Sequence, residues 1–507
     1  MILIALFYSF TFSRRQQTNT YKTNNRKNGF IAALATAAAL AVLSTAVVAS
    51  ATTTDNNFIG PSPGDYNTAG NWSLGYVPGT GATSDDAEIS GKNVSLSADL
   101  STSASNLASV TVNDGGYLGL GSGGAVATSP TAYQANWMEG WIYVGSSVFG
   151  DLATNSGSGS LAVNGGAINA AAMQLGNSST FTLSSGEVTT QDRSAFLGVD
   201  SSGNVTATLS GGTLNADGGG TGGSAGFVVG YSGSATVIQD GATVYAPNGG
   251  YASSIIGNSG TGTWKLQSGT LYANSLTLGQ NAGSSGTLDV SSGSFNGSVQ
   301  LIVGNAGNGV LTISGGTFNT PSSLPTGADG GAGFGYGNGV RFVDVGTGSG
   351  TGLLQIIGTA ATINITRANG GGGSEALLSL GANGTLEFDI NAATVSTIAL
   401  SGPAGLEDTA DLAGTINMQL LGGYTPGLHA TYNLLTAGTI TDTQAGYGLA
   451  AGESSDWTLS IIGAAGSGQT LQATYIGQPA IPEPAALGLL GVAGLGILLL
   501  GKRRKAV

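Results

Sequence analysis

One short pattern recurs along the middle of this chain and restricts its fold more than any other feature. It reads apolar, any residue, apolar, two residues, Gly, any residue, apolar. Copies are Leu161, Val163, Gly166, Ile168; Phe181, Leu183, Gly186, Val188; and Ala207, Leu209, Gly212, Leu214. Three more are Trp264, Leu266, Gly269, Leu271; Leu288, Val290, Gly293, Phe295; and Leu311, Ile313, Gly316, Phe318. Between them lies a second pattern, two apolar residues one apart and then Gly. Examples are Met173 and Leu175 before Gly176, Phe227 and Val229 before Gly230, Leu276 and Leu278 before Gly279, and Val343 and Val345 before Gly346. Both alternate with period two, so each predicts a short strand with one buried face.

From Gly166 to Gly316 the glycine of the first pattern returns after 20, 26, 57, 24 and 23 residues. The long gap predicts one degenerate copy, at Thr236 to Thr243. Short strands repeating at this period with Gly turns are the signature of a solenoid. A single coil cannot bury its apolar face, whereas stacked coils pair in parallel and share one core. The Gly-Gly steps at Gly165-Gly166, Gly211-Gly212 and Gly315-Gly316 allow positive φ at the corners. The expected fold is all-β, a right-handed parallel β-helix. The 89 glycines also suit a disordered low-complexity chain. Disorder, however, gives no reason for phased apolar pairs.

The two ends of the repeat region read differently. Gly70-Asn71-Trp72-Ser73 and Val77-Pro78-Gly79 precede Ala87-Glu88-Ile89 and Val94-Ser95-Leu96. This is similar to the opening of exported β-helix proteins and predicts an N-terminal cap with a buried Trp. From about Ala382 the repeat fades into strand-like runs: Thr385 to Ile390, Thr415 to Leu421, Ala430 to Thr436, Trp457 to Ile462 and Leu471 to Ile476. These predict a small antiparallel, sandwich-like cap, needed because an open coil presents an unpaired edge.

Both termini carry address-like segments. Lys22, Arg26 and Lys27 precede an apolar stretch from Gly29 to Val48, and Ala49-Ser50-Ala51 follows as an A-x-A cleavage site. That is the order of a secretory signal peptide. At the other end, Pro482-Glu483-Pro484 precedes a run from Ala485 to Gly501, 17 residues without a charge, and then Lys502-Arg503-Arg504-Lys505. A bilayer core needs roughly 20 apolar residues in a helix, and Lys502 extends the span by snorkelling. The basic cluster favours the cytoplasmic side, which places the bulk of the chain outside. The prolines keep Pro482-Glu483-Pro484 extended and accessible ahead of the helix.

This order of Pro-Glu-Pro, one spanning segment and a terminal basic cluster resembles the PEP-CTERM sorting signal of Gram-negative bacteria. The resemblance is specific over the last 27 residues. It implies recognition and removal of the tail at the inner membrane by an exosortase, after export through the Sec translocon. It also implies association with exopolysaccharide and biofilm. The turn Tyr424-Thr425-Pro426-Gly427 and the strand Tyr432-Asn433-Leu434-Leu435 resemble the final module of other proteins of this class. The chain is therefore expected to comprise an N-terminal extension and signal peptide (1–51), an N-terminal cap (52–110), solenoid repeats (111–381), a C-terminal cap (382–478) and the sorting signal (479–507).

The segment between the two addresses holds five basic residues, Lys92, Arg193, Lys265, Arg341 and Arg367. It holds every one of the 27 acidic residues except Glu483, so five against 26 leave a charge of −21. Such a surface does not bind nucleic acid or anionic lipid by charge. With no cysteine the fold has no disulfides.

Chemistry is hard to place. The single histidine, His429, cannot build a His-rich zinc site alone, and no Gly-x-Ser-x-Gly elbow or Walker-type loop accompanies it. A β-helix polysaccharide lyase or hydrolase needs clustered carboxylates, often with calcium, or a base. Asp192, Asp200, Asp217, Asp240, Asp289 and Asp344 are scattered; Asp85-Asp86, Glu407-Asp408 with Asp411, and Glu387 with Asp389 are the closest groupings. Arg193, Arg341 and Arg367 are the candidate active-site cations. The expectation is no enzyme, no cofactor and no metal: an exported structural or adhesive protein of the cell surface or extracellular matrix that associates with extracellular polysaccharide. A carbohydrate-active enzyme or carbohydrate-binding protein on the same fold is the alternative.

Overall fold

The computed structural model describes residues between 54 and 477; within that span the longest omitted stretches are 97–106, 129–140, 145–159, 217–225, 321–342 and 367–375. The expected signal and transmembrane helices, at 1–51 and 479–507, lie outside the described residues. The described part is all-β, with a short 3-10 turn at Ala69–Asn71. No described helix is long and apolar enough to cross a membrane.

Strands pair in parallel along three ladders, and the chain visits each ladder once per coil. One coil shows the plan. Ser285–Val290 lies on the first ladder, 294–297 on the second and 301–303 on the third; Asn308–Ile313 then returns to the first. The first ladder begins with Thr54–Asn57 on Asp85–Ile89 and runs to Thr415–Leu420 and Gly448–Leu449. Registers on the first ladder place like positions over one another: Trp264 on Leu288, Leu288 on Leu311, Leu266 on Val290 and Val290 on Ile313.

Every apolar residue of the six repeat copies is buried, as is each apolar pair of the second pattern. The alternation is therefore the core itself. The inward positions of successive coils form one continuous column, with Phe295 stacked on Phe318 at 4.9 Å between ring centroids. At roughly 25 cal/mol per Å² of apolar surface removed from water, a column of this kind is the main favourable contribution to folding. The corner glycines are required. Gly316 has φ 68°, and a Cβ there would lie 2.2 Å from the carbonyl oxygen of Gly293 in the coil below.

The 57-residue gap in the glycine series holds the expected degenerate copy, within Ser234–Ala246. Its second inward position is Gln239, fully buried. The Gln239 amide donates to the Ala242 oxygen at 2.8 Å and the Thr270 oxygen at 2.9 Å, and its Oε1 accepts from Trp264 Nε1 at 3.0 Å. The amide is thus satisfied inside the core, which is why this coil tolerates a polar residue where its neighbours carry Leu or Val.

Aromatic clusters close both ends of the stack. Phe58, Tyr66 and Trp72 pack edge to face, and Trp72 Nε1 donates to the Tyr66 oxygen at 2.7 Å. Trp72 is buried, as expected of the N-terminal cap. At the far end Trp457 packs edge to face against Tyr432 and Tyr475. Antiparallel pairing sets in later than residue 382. Gly384–Ile390 and Thr415–Leu420 still stack in parallel, with Leu386 over Ile416 and Phe388 over Met418. Among the described strands only Trp457–Gly463 and Gln469–Tyr475 run antiparallel, the latter docking on Thr431–Ala437. The corner glycine marking each repeat disappears near 390, but the inward alternation continues, and alternation is what stacking needs.

Candidate functional site

Most residues singled out for targeting or catalysis lie outside the described residues. These are Ala49 and Ala51; Pro482, Glu483 and Pro484; Lys502, Arg503, Arg504 and Lys505; Arg193, Arg341 and Arg367; and Asp192, Asp200, Asp217 and Glu407. His429 is described. It is exposed, sits in a left-handed turn with φ 65°, and uses its backbone N–H to donate to the Tyr475 oxygen at 2.8 Å. No described group of three or more His, Cys, Asp or Glu surrounds it or any other point.

Two arrangements of acids stand out among the described residues. Asp240 and Asp289 sit on the outer face of the first ladder with single local partners. Asp240 accepts from the Ser268 hydroxyl at 2.7 Å, and Asp289 lies in register beside Lys265. Burial pushes the Asp289 carboxyl above its ordinary value, and Lys265 partly offsets this.

The second arrangement gathers on the coils between 343 and 420. Gln355, Glu387 and Asn417 stack in register on the outer face of the first ladder, with Asp389 and Gln419 in the adjacent column. The Gln355 amide donates to Glu387 Oε1 and to Asp389 Oδ2, each at 2.8 Å, and Asn417 donates to Glu387 Oε2. Thr312 completes the chain by donating to Gln355 Oε1 at 3.2 Å. Asp389 is only 3 % exposed, and no donor reaches its Oδ1. Its carboxyl is held above the ordinary aspartate value, chiefly by burial and then by the charge of Glu387. Sequence placed these two acids on one strand face. It did not show the three amides that neighbouring coils bring to them, because those come from about 30 residues away in either direction and only register supplies them.

On the third ladder Asp344, Ser379, Asp411 and Thr441 occupy one in-register column. Gln300 Nε2 donates to Asp344 Oδ2 at 3.0 Å, and the Thr441 hydroxyl donates to Asp411 Oδ1. Ser379 is 4 % exposed and its Oγ has no hydrogen-bond partner. Ser379, Asn383 and Asp411, with the backbone around Gly346 and Gly348, line a polar pocket of about 240 Å³.

The remaining outer faces carry hydroxyl and amide columns. Thr180, Thr206, Thr236, Thr263 and Thr287 stand in register on five successive coils, exposed or half-buried. Asn281 donates to Asn258 at 3.3 Å and Asn364 to Asn319 at 3.1 Å, while Tyr245 stacks on Tyr272 at 4.9 Å. The threonines stand at outward positions of the alternation, and register between coils of unequal length aligns them. Comparison of the chain with protein-family models, with characterised proteins and with solved structures finds no match.

Proposed function

We propose that this chain is an exported structural and adhesive protein of the cell surface or extracellular matrix. It is built as a right-handed parallel β-helix whose outer columns associate with extracellular polysaccharide. The observation that carries this reading is the threonine column from Thr180 to Thr287 on the first ladder, with further stacked Asn and Tyr side chains elsewhere on the coils. Neighbouring rungs of a sheet lie about 4.8 Å apart, so the column offers hydroxyls at one fixed interval to a polymer lying along it. Each contact exchanges a water hydrogen bond for a sugar one and is weak alone. Affinity then grows with the number of coils engaged.

The addresses at the two ends fit this role. The signal peptide ending near Ala51 takes the chain through the Sec translocon, and the PEP-CTERM-like tail holds it at the inner membrane of a Gram-negative cell until an exosortase-type enzyme releases it. Mass spectrometry of the protein recovered from its native host tests this. The expected mature form begins near Thr52 and ends near Pro482 to Pro484. Recovery with Lys502 to Val507 still attached would replace sorting with a plain membrane anchor.

A second reading rests on Asp389. A carboxyl raised by burial, with a second carboxylate two residues away, is the arrangement from which a general acid is made. It favours a carbohydrate-active enzyme on the same scaffold, and a polysaccharide panel scored for both retention and cleavage separates the two.

A further inference from the structure

We propose that the polar pocket beside Ser379 and Asp411 is a calcium-binding site, independent of the matrix reading above. Its oxygen donors are in hand. The Thr441 hydroxyl occupies Asp411 Oδ1, which leaves Oδ2 without a partner among the described residues. Asn383 spends its Nδ2 on the Gly348 oxygen at 3.0 Å, so its Oδ1 remains available. Ser379 Oγ is buried with no partner at all, a state that costs free energy until something supplies one. Asp344, in register on the other side of Ser379, adds a second carboxylate to the same column.

The spacing suits a cation. Rungs of the ladder are about 4.8 Å apart. That is twice a Ca–O distance of about 2.4 Å, so an ion midway between side-chain oxygens on adjacent rungs is within bonding reach of both. Calcium takes roughly six to eight oxygen ligands in flexible geometry. The three side chains supply part of that set, and the pocket volume of about 240 Å³ leaves room for coordinated waters. Magnesium needs near-ideal octahedral geometry and gives up water reluctantly, so it fits a wide, partly hydrated pocket less well. Among the described residues no basic side chain lines the pocket to compete for the carboxylate. Few protein ligands mean modest affinity, on the order of 10⁻³ M, as in extracellular calcium modules.

The test is isothermal titration calorimetry of the full chain, stripped with EDTA and dialysed, against CaCl2 and then MgCl2. Wild type should bind calcium with a dissociation constant on the order of 10⁻³ M and magnesium more weakly. Ser379→Ala and Asp411→Asn should each weaken calcium binding about tenfold or more. In EDTA, Ser379→Ala should unfold at or above the wild-type temperature, since it deletes an unsatisfied hydroxyl; this shows that lost binding is not lost folding. Calcium binding that is absent in wild type, or unchanged in both variants, would overturn the proposal.

Discussion

Replacing Gln239 tests whether the degenerate coil is held by the hydrogen bonds seen at its centre. Gln239 is fully buried, and its Oε1 is the acceptor for the Trp264 indole N–H at 3.0 Å. Gln239→Leu restores the apolar residue that other coils carry and keeps the volume nearly constant. It loses both the acceptor for the Trp264 N–H and the donors to the Ala242 and Thr270 oxygens. A buried donor left unpaired costs about 1–3 kcal/mol, and with two carbonyl oxygens also stranded the expected loss is at least that. Gln239→Ala adds a cavity and should cost about 3 kcal/mol or more. Trp264→Phe in the Gln239→Leu background removes the stranded N–H, so the double variant should regain stability relative to the additive sum, with a coupling of about 0.5–3 kcal/mol. A long array need not unfold in one step, so the assay is hydrogen exchange of peptides covering 234–278, which reads local opening. If Gln239→Leu changed opening by under about 0.5 kcal/mol and Trp264→Phe gave no rescue, the buried network would be wrong.

Three shorter expectations follow from the same geometry. Leu266→Asp or Val290→Asp buries an unpaired charge and should cost several kcal/mol, whereas Thr208→Ala on the outer face should cost under about 0.5 kcal/mol; equal losses in urea melts would break the register. Gly316→Ala should cost more than about 1 kcal/mol, because φ there is 68° and the new Cβ meets a carbonyl at 2.2 Å; a neutral result by thermal unfolding would refute the corner. Asp389→Asn should raise the unfolding temperature at pH 7 in EDTA. The folded carboxyl binds its proton more tightly than the unfolded one, so its contribution is greatest below about pH 3.9 and is lost as pH rises through the raised folded value. The gap between variant and wild type should close on acidification, and a variant less stable than wild type at pH 7 would contradict this.

Much of the fold was legible because its determinant is local and periodic. Leu161, Val163 and Ile168 announce a buried face by alternation alone, and the structure buries each of them. Even the missing copy could be located, from the spacing of Gly212 and Gly269. The C-terminal region was harder. Leu386, Phe388, Ile416 and Met418 keep the alternation, but the corner glycine that marked each coil is absent there, so a continuing parallel stack read as an antiparallel cap. Function was less legible than fold. Glu387 and Asp389 are two residues apart and could be paired by eye. Gln355, Asn417, Ser379 and Asp411 come together only through register between coils of unequal length, and no local pattern encodes that alignment.

The claim that this is a matrix-associated structural protein meets its most direct test in a polysaccharide panel. The purified protein is incubated with acidic and neutral polysaccharides, and each sample is assayed both for pull-down and for new reducing ends or unsaturated products. The account predicts weak, salt-insensitive retention that falls when Thr206, Thr236 and Thr263 are replaced together by Val, and no new chain ends. New ends that vanish in Asp389→Asn or Glu387→Gln would contradict it and establish the enzymatic reading instead.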